Sequence, residues 1–260
     1  MCVNTELFGH TVSSYVLMVF VGAVAANIVA AIVLIKRKDL DVYDFVLTEL
    51  YAVIGGLLGA KLLYFITAYK YIDWGRFFEK EYFISLMTGG FVMYGGLIGA
   101  IAFMFLAKAI HKIDIIKYIR EFIFAFPLAH GFGRIGCHLA GCCYGVPYHG
   151  HFSVVFPEDS LAPAGIELFP VQMFEAIFLF VIFGILLFAK LKFSFKYPVE
   201  LYFLLYGILR IITESLRFDE VRGKLLGIST SQWISFILIG YAIISIVVKK
   251  HLAHSKAANV

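Results

Sequence analysis

Long apolar stretches separated by short charged connections run along the whole chain. Seven of them could cross a bilayer core about 30 Å thick as α-helices of roughly 20 residues. They lie at about 14–35, 46–69, 84–107, 121–142, 170–189, 199–216 and 232–248. The first stretch is too long for the apolar part of a signal peptide and no basic segment precedes it, so we expect it to remain in the mature protein. The pattern predicts an all-α, polytopic integral membrane protein with about seven transmembrane helices, organised as a single domain over residues 1–260.

The composition supports this prediction. Hydrophobic residues make up 61% of the 260 residues, charged residues only 15%, and the mean hydropathy is +0.88. Soluble domains usually carry about 25% charged residues. The composition therefore excludes an ordinary soluble enzyme, a disordered chain and a secreted disulfide scaffold.

The distribution of basic residues predicts the orientation of the spans. Alternate connections are rich in Lys and Arg: Lys36, Arg37, Lys38, Lys108, Lys112, Lys117, Arg120, Lys190, Lys192, Lys196, Lys249, Lys250 and Lys256. The opposite connections hold fewer: Lys70, Arg76, Lys80, Arg217, Arg222 and Lys224. Because cytoplasmic connections carry the excess of Lys and Arg, we expect the N-terminus outside and the C-terminus in the cytoplasm. The net charge of +4 then comes mostly from cytoplasmic Lys and Arg residues, which would contact anionic lipid headgroups. We therefore expect no nucleic-acid partner.

Several ionisable residues fall inside predicted spans, where they are costly and therefore candidates for function. They are Glu49, Lys61, Arg134, Glu175, Glu200, Arg210 and Glu214. Arg210 and Glu214 are four positions apart, so they share one helix face, and Arg217 continues that stripe. This pattern indicates either an ion pair that locks two helices together or a guanidinium that faces an anionic ligand while the carboxylate orients it. Arg suits a phosphate because its rigid fork donates two hydrogen bonds and stays charged.

Two glycine-rich segments lie within the spans. HGFGRIGCHLAGCCYG (130–145) contains five glycines and Arg134, and it predicts a broken or closely packed helix around a polar pocket. Small-residue helix packing would explain these glycines but not the arginine. In TGGFVMYGGLIGA (88–100), two Gly-Gly pairs surround Tyr94, which indicates helix packing or a phenol presented to a cavity.

Taken in order, these segments resemble the prolipoprotein diacylglyceryl transferase family. The resemblance is carried by YVLMVFVG (15–22), GAKLLYF (59–65), GGFVMYGGLIG (89–99), GRIG (133–136), VVFP (154–157), PVQMFEA (170–176), YGILRIITESLR (206–217) and SQWIS (231–235). Tyr94 stands where the family typically has histidine, and Lys61 where it usually has arginine. The family signature continues after GRIG with asparagines and a glutamate, whereas this chain has Cys137, His138, Ala140 and Cys142 in that stretch.

The resemblance implies an enzyme of the bacterial cytoplasmic membrane that works in lipoprotein biosynthesis. It would move the diacylglyceryl group of phosphatidylglycerol to the lipobox cysteine thiol of a prolipoprotein and release glycerol phosphate. The implied partners are phosphatidylglycerol, the prolipoprotein lipobox peptide and the lipid bilayer. We expect a monomer, without a cofactor or a bound metal.

The resemblance also implies the site residues. The catalytic candidates are Arg134, Arg210, Glu214, Tyr94 and His138. The substrate-binding candidates are Tyr15, Lys61, Gly95, Gly96, Gly133, Cys137, Gly145, Gln172, Glu175 and Tyr206. We expect Arg134 and Arg210 to hold the lipid phosphate, with Glu214 holding Arg210. The general base that removes the proton of the acceptor thiol stays open among Tyr94, His138 and His130. Alternatively, the thiol needs little help from a base, because thiols ionise near pH 8.5.

Two questions stay open at this point. Cys137, His138, Cys142 and Cys143 are compact enough for a metal or a redox pair, although adjacent cysteines rarely chelate one ion well, and packing around the pocket is the favoured interpretation. The changed signature also leaves room for a homologue with the same phospholipid donor and another acceptor, for a thiol oxidoreductase, or for a non-enzymatic membrane protein that binds an anion or a lipid.

Overall fold

The computed structural model describes residues 3–7, 9–193, 195–218 and 224–258. Within them the chain is largely helical: α1 (Ser14–Ile35), α2 (Val42–Ala68), α3 (Lys80–Thr88), α4 (Met93–His111), α5 (Ile115–Phe122), α6 (Ala125–Ala140), α7 (Val171–Phe193), α8 (Pro198–Ser215) and α9 (Thr230–Ala258). Two 3-10 turns, Tyr69–Tyr71 and Trp74–Arg76, follow α2. Three antiparallel hairpins pair β1 (Asn4–Leu7) with β2 (His10–Ser13), β3 (Val154–Val155) with β4 (Glu167–Leu168), and β5 (Lys224–Leu225) with β6 (Ile228–Ser229).

Five helical segments are long and apolar enough to cross a membrane. They are Ser14–Ile35, Val42–Tyr71, Met93–His111, Val171–Phe193 and Thr230–Leu252. The prediction of a polytopic helical membrane protein is therefore confirmed. The other two predicted spans correspond to α6, which has only 16 residues, and to α8, which carries Glu200, Arg210 and Glu214. The count of seven stays a prediction.

The prediction of one continuous helix over 84–107 is wrong. Helix α3 ends at Thr88 and α4 begins at Met93. Between them Gly90 has φ +65°, a left-handed conformation that glycine adopts without steric cost and that interrupts the helix. Lys61 stabilises this break, because its ammonium group donates hydrogen bonds to the carbonyl oxygens of Leu86 and Gly89.

The chain forms two compact units, one made of Met1–Val33 with Arg120–Val260 and the other of Leu34–Ile119. In the second unit, α2 and α4 pack along each other through glycines. A Cβ atom built on Gly99 would overlap the carbonyl oxygen of Gly55, and one built on Gly95 would overlap that of Gly59. Glycines four apart on both helices therefore let the two backbones touch, as in membrane helix pairs that associate through small residues.

The first unit is a bundle in which α6 packs on α7, α7 on α8, and α8 on α9. Its apolar core contains Val33, Phe124, Leu179, Ile182, Leu186, Tyr202 and Leu209. Helix α1 crosses α6 closely at Gly136, where a Cβ atom would lie 3.1 Å from both the Cα atom of Tyr15 and the Cβ atom of Met18.

The loops that follow α6 and α8 are joined by backbone hydrogen bonds. Gly145 and Arg217 form an antiparallel bridge, and Val146 N donates to Leu216 O at 3.0 Å. On the other side of the same loop, Phe169 N donates to Val146 O at 2.9 Å, just before α7 begins. The C-terminal ends of α6 and α8 and the N-terminal end of α7 therefore lie on one side of the bundle.

Candidate active site

A buried carboxylate joins two arginines in the middle of the first unit. Glu175, in the second turn of α7, is 1% exposed, and its Oε1 atom lies 2.9 Å from Nη2 of Arg134 on α6. Its Oε2 atom lies 3.4 Å from Nη1 of Arg210 on α8. The apolar faces that pack α6, α7 and α8 together thus bring three ionisable residues to one point.

Arg210 is held from two further directions. Its Nη2 atom lies 2.8 Å from Oε2 of Glu214, one turn later on α8, and donates to Oγ of Ser231 on α9 at 3.2 Å. The predicted pairing of Arg210 with Glu214 is therefore observed. Ser231 was not among the site residues predicted from the sequence. It belongs to the SQWIS segment (231–235), one of the segments that carry the family resemblance, and this could have identified it.

The network is electrically balanced, but one of its donors has no partner. Two arginines and two glutamates offset one another, as buried charges require. Nε of Arg134 is nevertheless buried without a hydrogen-bond partner among the described residues. A buried donor left unpaired is unusual, and an acceptor atom of a ligand could satisfy it.

The glycines around Arg134 have different neighbours. A Cβ atom on Gly131 would lie 2.5 Å from the Phe180 ring, so Gly131 allows α7 to approach α6. A Cβ atom on Gly133 would meet nothing within 4 Å. Helix α6 is continuous through Ala140, so the glycine-rich segment forms the closely packed helix that was predicted as one alternative.

The end of α6 is fixed by a turn that gathers three thiols. Gly141 caps the helix in the left-handed conformation, and Cys142 N donates to Cys137 O at 3.1 Å. Cys143 is also left-handed, with φ 60°. The Sγ atoms of Cys137, Cys142 and Cys143 lie within 4.8 Å of one another. The fully buried Gln172 on α7 secures the turn, because its Nε2 atom donates to Cys142 O at 2.8 Å.

Gly145 has a clear structural role. A Cβ atom there would overlap the carbonyl oxygen of Phe169 and lie 3.0 Å from that of Leu216. Only glycine therefore lets the loop after α6 run between the start of α7 and the end of α8. This arrangement brings the charge of Arg217 into electrostatic range of Cys143.

The remaining candidates of the first unit lie on α1, α6 and α8. The Tyr15 phenol interacts electrostatically with Arg134 and with the three thiols. Tyr206 packs its ring 5.5 Å from that of His130, and the His130 ring lies in electrostatic range of both arginines. His138 packs against Phe156, with ring centroids 5.6 Å apart, and its Nδ1 atom is buried without a hydrogen-bond partner among the described residues.

The other sequence-based candidates belong to the second unit. Lys61 holds the turn after α3, and its ammonium group lies 4.5 Å from the centroid of the Phe91 ring. Gly95 is buried against α2, and Gly96 lies on the same helical turn of α4. Tyr94, in the first turn of α4, is 39% exposed. Lys61 and Gly95 both have structural roles in the second unit, at the turn after α3 and in the contact between α2 and α4. Their roles in substrate binding stay predictions.

Fold and site together define a class: a polytopic helical membrane protein with a buried network of two arginines and two glutamates. The sequence places the chain within that class. Residues 3–248 match the family model described as prolipoprotein diacylglyceryl transferase. The chain belongs to this family.

Three curated relatives are similar in sequence to this chain over most of their own length. The chain is 38% identical over 242 residues to phosphatidylglycerol–prolipoprotein diacylglyceryl transferase 2 of Clostridium perfringens, covering 90% of each chain. It is 37% identical over 247 residues to the phosphatidylglycerol–prolipoprotein diacylglyceryl transferase of Clostridium tetani, covering 93% of this chain and 95% of that one. A relative with the same name from Dehalococcoides mccartyi is 30% identical over 214 residues, covering 80% of this chain and 78% of its own.

Proposed function

We propose that this chain is a transferase that moves the diacylglyceryl group of phosphatidylglycerol to the lipobox cysteine of a prolipoprotein. The single observation that carries the proposal is the Nε donor of Arg134, which is buried without a hydrogen-bond partner among the described residues. A phospholipid phosphate supplies the acceptor oxygen that this donor lacks. The names of the relatives supply the substrate class.

The contacts give the two arginines different tasks. Arg134 binds the lipid phosphate directly and stabilises the charge that develops on the leaving glycerol phosphate. Both terminal nitrogens of Arg210 are engaged with Glu175, Glu214 and Ser231. Arg210 therefore adds positive charge and fixes Glu175, which in turn orients the Arg134 guanidinium.

The surrounding residues supply the remaining parts of the reaction. Tyr15, Gln172 and Tyr206 are the substrate-binding candidates of the first unit with side chains near the arginines or the cysteine turn. Gly145 leaves room for the backbone around it, and Gly133 faces open space. His138 is the candidate in the first unit for taking the proton of the acceptor thiol, and Tyr94 is the candidate in the second. The attack forms a bond between the acceptor sulfur and the diacylglyceryl carbon, while the bond from that carbon to the phosphate oxygen breaks.

The membrane topology is part of the proposal. In the first unit, α6 and α8 end on the side where α7 begins. Three helices that cross a membrane one after another have this arrangement. With the Lys and Arg distribution, this supports seven crossings, the N-terminus outside, and the site at the outer face of a bacterial cytoplasmic membrane. An epitope inserted at His151 should be accessible to antibody on intact protoplasts, and one inserted at Lys250 only after permeabilisation. The reverse pattern would contradict the orientation.

The domain organisation and the oligomeric state are also part of the proposal. We propose that residues 1–260 act as one catalytic domain, since the family match runs through both compact units, and that the chain works as a monomer in the bilayer. Light scattering of the detergent-solubilised protein should then give a protein mass near 29.2 kDa. A stable mass of twice that value would contradict the monomer.

The decisive experiment is a transfer assay with the purified full chain in detergent. Phosphatidylglycerol is the donor, a lipobox peptide is the acceptor, and mass spectrometry follows the peptide and free glycerol phosphate. The proposal expects a diacylglyceryl-modified cysteine that disappears in Arg134→Ala. Release of glycerol phosphate with an untouched peptide would preserve the donor and overturn the acceptor. The absence of both products, under conditions that support a Clostridium perfringens relative, would overturn the function.

A further inference from the structure

The turn after α6 brings the thiols of three cysteines together. Cys137, Cys142 and Cys143 are each partly exposed, and their Sγ atoms all lie within 4.8 Å of one another. In a tetrahedral zinc–thiolate site, Zn–S bonds of about 2.3 Å place the sulfurs roughly 3.8 Å apart. A movement of less than about 1 Å would therefore bring the three thiols to metal-binding distances.

The backbone that gathers these thiols is held in place. Adjacent cysteines in ordinary backbone conformations point apart, but Cys143 is left-handed, which is unfavourable for a side chain with a Cβ atom. Such strain persists where the surroundings impose it, often at functional sites. Here the Gly141 cap, the hydrogen bond from Cys142 N to Cys137 O and the hydrogen bond from Gln172 to Cys142 O impose it.

The ligand set leaves one coordination position open. Among the described residues, the group consists of three cysteines and contains no fourth His, Cys, Asp or Glu. Soft thiolate ligands select thiophilic cations such as Zn²⁺. Structural zinc sites use four protein ligands, whereas catalytic zinc sites use three and keep the fourth position for water or substrate. Three thiolates and Zn²⁺ carry one net negative charge, and the charges of Arg134 and Arg217 act on this cluster.

We propose that Cys137, Cys142 and Cys143 bind Zn²⁺, and that the open position takes the sulfur of the acceptor cysteine. The second part rests on the proposed function. Binding to Zn²⁺ removes the proton from the acceptor thiol, because a coordinating thiol is deprotonated, and the proton passes to His138 or to water. The bound sulfur then forms the C–S bond to the diacylglyceryl carbon, and the C–O bond to phosphate breaks with its electron pair on the phosphate oxygen. Nucleophile and leaving group would thus be held next to each other, beside Arg134.

The first test measures the metal itself. The full chain, purified under reducing conditions, should contain about one Zn²⁺ per molecule by elemental mass spectrometry. Replacement by Co²⁺ should give the thiolate-to-cobalt charge-transfer absorption and the visible bands of a tetrahedral site. Cys142→Ser and Cys143→Ser should each lose these bands. A metal-free wild-type chain that also fails to bind added Zn²⁺, or a disulfide among the three cysteines, would overturn the site.

Cys2→Ser is the matched control, since Cys2 is the remaining cysteine of the chain. The substitution should leave both the zinc content and the cobalt spectrum unchanged. Loss of metal in this variant would overturn the open fourth position, because the protein itself would then fill it.

The second test follows the acceptor. A lipobox peptide added to the Co²⁺ form should increase the charge-transfer absorption, and the same peptide with serine in place of cysteine should not. Chelator treatment of the native chain should reduce transfer at least tenfold, and Zn²⁺ should restore it. Full transfer by the metal-free chain would overturn the inference while the proposed function stands. An intact cobalt–thiolate spectrum without any transfer would instead count against the proposed function.

Discussion

Nη2 of Arg134 lies 2.9 Å from Oε1 of Glu175, on the helix that packs beside it, and both side chains are almost fully buried. The pair holds the Arg134 guanidinium in one orientation while leaving its Nε donor unpaired. In a site of low dielectric, a donor oriented in advance stabilises developing negative charge more strongly than the same group in water. The pair therefore links the packing of α6 on α7 to the chemistry proposed for the site.

Removing the Arg134 fork should slow transfer strongly. Arg134→Ala should reduce the rate by at least ~10²-fold, as loss of one oxyanion donor does. Arg134→Lys keeps the charge but loses the planar fork, so its rate should also fall. Initial rates of peptide modification check both variants. Arg76→Ala is the control, because Arg76 forms an exposed ion pair with Glu79, and it should leave the rate unchanged. Full activity in Arg134→Ala would remove Arg134 from the mechanism.

Arg210→Ala should also reduce transfer by at least ~10²-fold, because Glu175 then loses its second guanidinium and Arg134 its fixed position. Glycerol phosphate release and peptide modification should fall together, since both depend on the same orientation of Arg134. A rate within about twofold of the parent chain would show that the Arg210 contacts serve packing alone.

Glu175→Gln should destabilise the first unit. It removes the negative charge between two buried arginines, and breaking a buried ion pair typically costs roughly 3–5 kcal/mol. Thermal unfolding in detergent should show a clear fall in the transition temperature. Glu79→Gln, at an exposed pair, should leave the transition unchanged. An unaltered transition in Glu175→Gln would mean that water or lipid compensates the arginines.

Two neighbouring glycines on α6 should respond differently to alanine. Gly133→Ala meets open space, so the fold should be retained; if the lipid occupies that space, the added methyl group should slow transfer. Gly131→Ala meets the Phe180 ring and should lower stability by about 1–3 kcal/mol. Unfolding and transfer rates measured on both variants separate the two effects. Transfer by Gly133→Ala at the parent rate would show that the lipid does not use this space.

The α2–α4 contact should depend on its glycines. Gly99→Ala places a methyl group against the carbonyl oxygen of Gly55 and should destabilise the second unit by about 1–3 kcal/mol. Gly184→Ala is the matched control, because a Cβ atom there meets nothing within 4 Å and alanine favours a helix. Equal unfolding temperatures for the two variants would contradict the close contact.

The spacing of the three cysteines did not predict that their thiols lie within 4.8 Å of one another. From spacing alone, packing was the favoured interpretation, because adjacent cysteines are poor chelators. The left-handed backbone of Cys143, which no local pattern announces, turns its side chain towards the other two thiols. The break between α3 and α4 was missed for a related reason: the apolar run continues across Gly89 and Gly90, so hydropathy reports a span where the backbone turns.

Local features of the sequence were sufficient to predict a polytopic helical membrane protein of the diacylglyceryl transferase family. Length, hydropathy and ordered motifs are local properties, and they also identified Arg134, Arg210, Glu175 and Glu214 as costly charges in apolar segments. Which of these charges meet depends on the tertiary structure. The Arg210–Glu214 pair follows from helical spacing, but the placement of Glu175 between Arg134 and Arg210 depends on how α6, α7 and α8 pack. Such contacts between residues far apart in the chain arise from side-chain packing, which no single stretch of sequence contains.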